Sequence, residues 1–224
     1  MYSRKPQHPL WLLTGFWICV LISVAVVIRR LIALEHPSLS GPPQMAQLDA
    51  VFSSHATLMI AHIIPALVFV LLAVGVLLLR RPSKWIHQLF FPFGAITGLT
   101  AYAMSRYAIG GWVERSAVLV FDTWFLFSLG CAYRFYHRGQ PVKQREWTTR
   151  AVGILLGIAT TRPVMGVFFA SSGATHLTAK QFFGIAFWIG FSINVVVIEL
   201  WLHSNQRLRV MEPIDRPQAN TQSR

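Results

Sequence analysis

Six apolar stretches, each about long enough to cross a bilayer, take up most of this 224-residue chain. A hydrocarbon core of roughly 30 Å needs about 20 apolar residues in helical form. The stretches run near 10–28, 51–79, 89–104, 116–135, 151–170 and 182–202. They predict an all-α, polytopic transmembrane bundle of six spans. Polar groups left inside such helices are few, costly and open to functional reading.

Charge supports the same class. Charged residues make up 12% of the chain, against roughly 25% in an ordinary soluble domain. The net charge of +12 invites a nucleic-acid reading, but Lys and Arg sit in short clusters between apolar stretches. They form no basic face or stripe, so nucleic acid is excluded as a partner and the lipid bilayer is expected instead. Arg4 and Lys5, then Arg80, Arg81 and Lys84, then Arg134 to Arg150, then Arg207 and Arg209, all fall on one side of six spans. The positive-inside rule makes that side cytoplasmic, with both termini on it. Arg29 and Arg30 are the misfit, and their side chains can snorkel to the outer headgroups.

One domain is expected, a six-helix bundle over 1–211, with a polar, disordered cytoplasmic tail over 212–224. The longest connection, 35–49, is an outer loop rich in Pro and Gly; the basic segment 137–150 is a cytoplasmic loop. The basic start and first apolar run look like a secretory signal, but the run is too long and no small-x-small site follows, so a retained helix is expected. Cys19 and Cys131 lie inside apolar helices at no metal or redox spacing and are read as packing residues. Helix breaks are expected at Pro65 and Pro163. Gly153 and Gly157 form a G-x-x-x-G step, read as a place of close internal packing.

Helical rise places the intramembrane polar residues by depth. His55 lies near the outer end of the second span, and His62 about 10 Å deeper on nearly the same face. Asp122 on the fourth span and Arg162 on the fifth reach a similar level, while Tyr102 and Arg106 close the outer end of the third. A polar layer of His55, His62, Tyr102, Asp122, Thr161 and Arg162 follows, in the outer half of the bundle. It has two readings. Asp122 and Arg162 form a structural ion pair, or one of them faces a ligand such as a haem propionate or a quinone carbonyl.

Eight histidines raise the question of haem. A bis-imidazole iron needs its two ligands on opposite sides at one depth. His55 and His62 are about 10 Å apart on one helix and cannot share an iron; His62 and His87 are further apart still. His55 with His176 is allowed by depth but draws one ligand from a loop. His36, His137 and His203 read as interfacial residues bonded to water or backbone. No phosphate-binding Gly loop, H-E-x-x-H, G-x-S-x-G or Cys-x-x-Cys is present.

His55, His87 within Lys84-Trp85-Ile86-His87-Gln88, Ala132-Tyr133-Arg134, Arg145, Trp147, Arg150 and Arg162 together carry a resemblance. In their order and context the region 52–168 resembles the bacterial membrane proteins grouped as domain of unknown function 2306. The chain departs from that pattern at Gln144, where the family has its third His, and at Thr148, Gln88 and Phe91. The resemblance implies helical architecture, a bacterial cytoplasmic membrane and importance for His55, His87, Arg150 and Arg162; the family supplies no activity.

The leading functional expectation is a membrane redox or ligand-binding protein that accommodates haem b or a quinone in an outer-half pocket. His55 or His62 would be ligand or hydrogen-bond donor, with Arg162 and Tyr102 orienting the bound molecule. Two other readings stay open: a non-catalytic accessory subunit of a larger membrane complex, and a small-solute transporter with Asp122, Arg162 and Glu199 as its charged path.

Overall fold

A computed structural model describes residues 9–35, 53–79 and 82–211. The expected outer loop over 36–49, His8, His36, Arg4, Lys5, Arg80, Arg81 and the tail 212–224 lie outside the described residues. Within these limits the chain is helical throughout: α1 (Leu10–Glu35), α2 (Ala56–Leu78), α3 (Lys84–Met104), a 3₁₀ turn (Ser105–Tyr107), α4 (Gly111–His137), α5 (Pro141–Leu155), α6 (Gly157–Thr175) and α7 (Ala179–Met211). Five segments are long and apolar enough to cross a membrane: α1, α2, α4, α5 with α6 taken together, and α7. The protein is therefore an all-helical, multi-pass membrane protein.

The 21-residue α3 has the length of a span but not the uniform apolarity. Its buried side carries His87, Gly94, Thr97 and Gly98 among phenylalanines. Its other side leaves Trp85, Leu89, Ile96 and Leu99 exposed, while the small residues let α2 and α4 close in. Phe69 of α2 stacks on Phe90 of α3 at 4.5 Å and meets Phe125 of α4 edge-on at 5.6 Å. A Cβ on Gly94 would lie 2.6 Å from the Phe69 ring and 2.8 Å from Leu129, so this aromatic knot depends on glycine.

Successive helices pair as α2 with α3, α4 with α5 and α6 with α7, and α7 also packs along α4 and α5. The α6–α7 crossing is tight. A Cβ on Gly190 would lie 2.7 Å from the Thr161 backbone nitrogen, and one on Gly157 would lie 3.0 Å from the Phe191 Cα. Gly153 meets Ile198 in the same way, so the G-x-x-x-G step is spent on internal packing. Helix α1 is peripheral: it packs chiefly on α2 and α6 and buries only Val20 and Ala33.

Three local expectations are corrected. The segment 137–150 is not a loop: residues 138–140 make the whole turn, and α5 starts at Pro141. Gly139 takes φ +62° there, and Pro at the first helical turn gives up an amide that had no partner anyway. The fifth span does break, but at Leu156 rather than at Pro163, and both Pro65 and Pro163 lie inside continuous helices. Asn194 of α7 donates its amide to Gly153 O at 3.0 Å just before the break and accepts from Thr160 Oγ1 at 2.7 Å just after it. Finally, α1 runs on through Arg29 and Arg30 to Glu35 instead of ending near residue 28.

Ion pairing at the far end from Glu114 is local. Arg150 binds Glu199 with both nitrogens, at 2.7 and 3.1 Å, and its guanidinium lies 4.7 Å over the Trp147 ring. A two-pronged pair of this kind clamps α5 to α7.

A charged cavity between the helices

Near the Glu114 end the helices leave a cavity of about 240 Å³, lined by α1 to α7 and the 3₁₀ turn. Two acids, Glu114 and Asp122, and two bases, Arg30 and Arg162, line it together with His62. Phe121, Phe125, Phe187 and Phe191 supply an aromatic wall; Phe121 stacks on Phe191 at 5.2 Å and meets Trp188 at 5.4 Å.

Each polar group is set by a local feature of the fold. Glu114 sits in the first turn of α4, where its carboxylate accepts the Gly110 amide at 2.6 Å. A negative charge there meets the unpaired N–H groups and the positive end of the helix dipole. The seat exists because α7 presents Gly184 to this turn: a Cβ on Gly184 would lie 2.7 Å from the Glu114 nitrogen. His62 is held by Thr100, with Nδ1 and Oγ1 3.0 Å apart. Thr100 Oγ1 also lies 2.7 Å from Ile96 O and 3.0 Å from Thr97 O, so one hydroxyl ties the His62 ring to the α3 backbone.

Asp122 and Arg162 are the least satisfied. Asp122 is buried, and its Oδ2 has no hydrogen-bond partner among the described residues; the same is true of Arg162 Nε. Among the described residues, the polar contact of the Arg162 guanidinium is Met165 Sδ, at 3.9 Å. They form no ion pair with each other among the described residues, which corrects the structural-pair expectation. The residue whose charge acts on Arg162 with opposite sign is Glu114. Both Asp122 and Arg162 line the cavity instead, because depth along a span does not fix which way a side chain turns. Buried polar groups are normally paired (roughly nine in ten), and these two orphans line one space.

The other candidate residues fall elsewhere. His55 stacks on Tyr107 with ring centres 3.7 Å apart and meets Ser54 Oγ at 2.9 Å. Tyr107 lines the cavity and His55 does not. The Tyr102 hydroxyl donates to Thr123, which passes its proton to Leu119 O at 2.5 Å; this links α3 to α4 away from the cavity. Thr161 is fully buried, its hydroxyl spent on Ile158 O at 2.6 Å, and it serves as the contact for Gly190. His87 is at the opposite end, stacked on Tyr136 at 4.7 Å. Glu199 is there too, bound to Arg150, so the charged path of the transporter reading is not continuous.

Haem b does not fit this cavity. Of the histidines, His62 alone lines it among the described residues, so a second axial imidazole is missing. No group of three or more metal-binding side chains exists among the described residues. The volume also falls below the roughly 300–1,000 Å³ of sites for drug-sized molecules, which suits one ring rather than a macrocycle. Neither a family model, nor a curated protein, nor a solved structure matches the chain.

Proposed function

We propose that this protein is a six-span component of a bacterial cytoplasmic membrane that binds a quinone head group in the cavity, which lies in the outer half of the bilayer. The observation that carries the reading is the pair of orphaned groups, Arg162 Nε and Asp122 Oδ2, facing one aromatic-walled space. A quinone offers two carbonyl acceptors on a flat ring and, when bound, supplies two-electron redox chemistry. Arg162 is the donor for one carbonyl. Asp122 in its acid form, or a hydroxyl of the reduced ring facing its carboxylate, completes the other side. The phenylalanine wall accepts the ring face.

The test uses the fluorescence of Trp188, which touches that wall. A tail-less benzoquinone is expected to quench it saturably in the purified protein. Arg162→Gln should weaken binding about tenfold to a hundredfold, since hydrogen bonds to charged groups contribute roughly 1.5–3 kcal/mol. Equal quenching in wild type, Arg162→Gln and Asp122→Leu would remove the reading.

Six spans follow if α3 crosses with the rest, packed between α2 and α4. Both termini and the 138–140 turn are then cytoplasmic, in line with the basic clusters. In a background lacking Cys19 and Cys131, an impermeant maleimide added to intact cells should label Arg106→Cys but not Gln140→Cys. The reverse pattern would overturn the topology.

A further inference from the structure

A second cavity, of about 270 Å³, lies under the first half of α1, towards the Arg150 end. Its walls include Trp11, Leu12, Phe16, Leu77, Val197 and Ile198. Of its few polar members, Asn194 is engaged by Thr160 and Gly153, and Thr149 by the Arg145 carbonyl at 2.9 Å. The rest of its lining is almost wholly apolar.

The two cavities share a roof and a floor. Leu12, Phe16 and Cys19 of α1 line the apolar one, and Ser23, Val26 and Arg30 line the charged one. Steps of three and four residues put these six on one helix face, so a single stripe of α1 covers both spaces over about 27 Å. On the fifth span, Val152, Gly153 and Leu156 face the apolar cavity while Ile154, Leu155 and Ile158 face the charged one. The cavities therefore abut across a single helical turn. The roof itself is lightly held, since α1 buries only two residues.

We infer that the apolar cavity is the tail site of the same ligand: a linear hydrocarbon or prenyl chain attached to the head group runs beneath α1 from the charged cavity into the apolar one. The inference rests on the head-group reading above. It commits to a ligand with one compact polar ring and one long unbranched or prenyl tail. It also gives α1 a role, as a strap over an amphiphile rather than a packing element.

The test uses full-length protein in lipid nanodiscs with a quinone whose decyl tail ends in a diazirine. Gly15 lines the apolar cavity, and no atom lies within 4 Å of where its Cβ would be. Gly15→Phe therefore adds bulk at the cavity from a Cβ that meets nothing. In wild type, cross-links should be saturable and concentrated on residues 11–19 and 197–201. Gly15→Phe should reduce them at least about fivefold, while quenching of Trp188 by the tail-less quinone stays unchanged. Cross-links scattered over lipid-facing positions such as Leu21 and Val196, and equal in Gly15→Phe, overturn the tail site and leave the head-group reading standing. Absence of both saturable cross-links and tail-less quenching in wild type overturns both.

Discussion

Gly190→Ala, a change of one methyl group, is expected to lower the stability of the folded protein by about 1–3 kcal/mol or more, the range for overpacking a tight contact. The new Cβ would lie 2.6–2.8 Å from Cγ2, N and Cα of Thr161. Two of those atoms are backbone, so no rotamer change relieves the clash and α6 must move away from α7. Gly190→Leu should leave little folded protein. The control is the same substitution at Gly166, whose Cβ would meet nothing within 4 Å; there alanine gains up to about 1 kcal/mol of helix propensity. Thermal unfolding of detergent-purified protein, read beside its size-exclusion profile, should give shifts of opposite sign. Equal shifts would mean that the α6–α7 approach is not what holds the bundle. Thr161 precedes Arg162, so Gly190→Ala should also weaken ligand binding, whereas Gly166→Ala should not.

That crossing shows what a sequence of this type discloses. The G-x-x-x-G step at Gly153 and Gly157 is visible by its spacing, and the structure spends it inside the bundle. Gly190 and Gly184 carry no such signature, because each is needed by a particular backbone on another helix. Span positions are legible because hydrophobicity over about 20 residues is a strong signal. Helix ends are less so: α5 begins ten residues ahead of its apolar run, at Pro141. The amphipathic stretch 141–150 is polar enough to pass for a loop. The break at Leu156 depends on Asn194, a residue nearly forty positions away, and no local pattern announces it.

Depth reasoning found three of the five acidic, basic or histidine residues lining the charged cavity, His62, Asp122 and Arg162. It missed Glu114 and Arg30 for different reasons. Glu114 looks like a loop charge until α4 is seen to start at Gly111, which turns it into a first-turn carboxylate. Arg30 looks like a headgroup anchor until α1 is seen to continue to Glu35. The signal for Arg30 was present in the three- and four-residue steps from Ser23 through Val26. Rotation about the helix axis, which sends Tyr102 to Thr123 and His87 to Tyr136, is set by packing and is invisible to depth.

The charge balance of the cavity gives the second large effect. Arg162 has Glu114 as its counter-charge and no direct ion pair among the described residues, so the coupling acts across the cavity rather than through one short bond. Arg162→Met leaves Glu114 and Asp122 facing a low-dielectric space with less positive charge. Stripping one partner from a buried pair costs about 3–5 kcal/mol. A cavity lets water and relaxation take up part of this, and about 1–3 kcal/mol is expected here. Glu114→Gln leaves an excess of positive charge and weakens the bond to the Gly110 amide, so it too should destabilise. The double variant Arg162→Met with Glu114→Gln removes both charges together and should lose less stability than the sum of its parts, by about 1 kcal/mol or more. The measurement is a double-mutant cycle on unfolding midpoints in detergent, repeated at high salt. Screening reaches exposed pairs far more than enclosed ones, so a coupling that survives salt places both charges in one enclosed field. Strict additivity would show that Glu114 serves only the helix start and that Arg162 answers to the ligand alone.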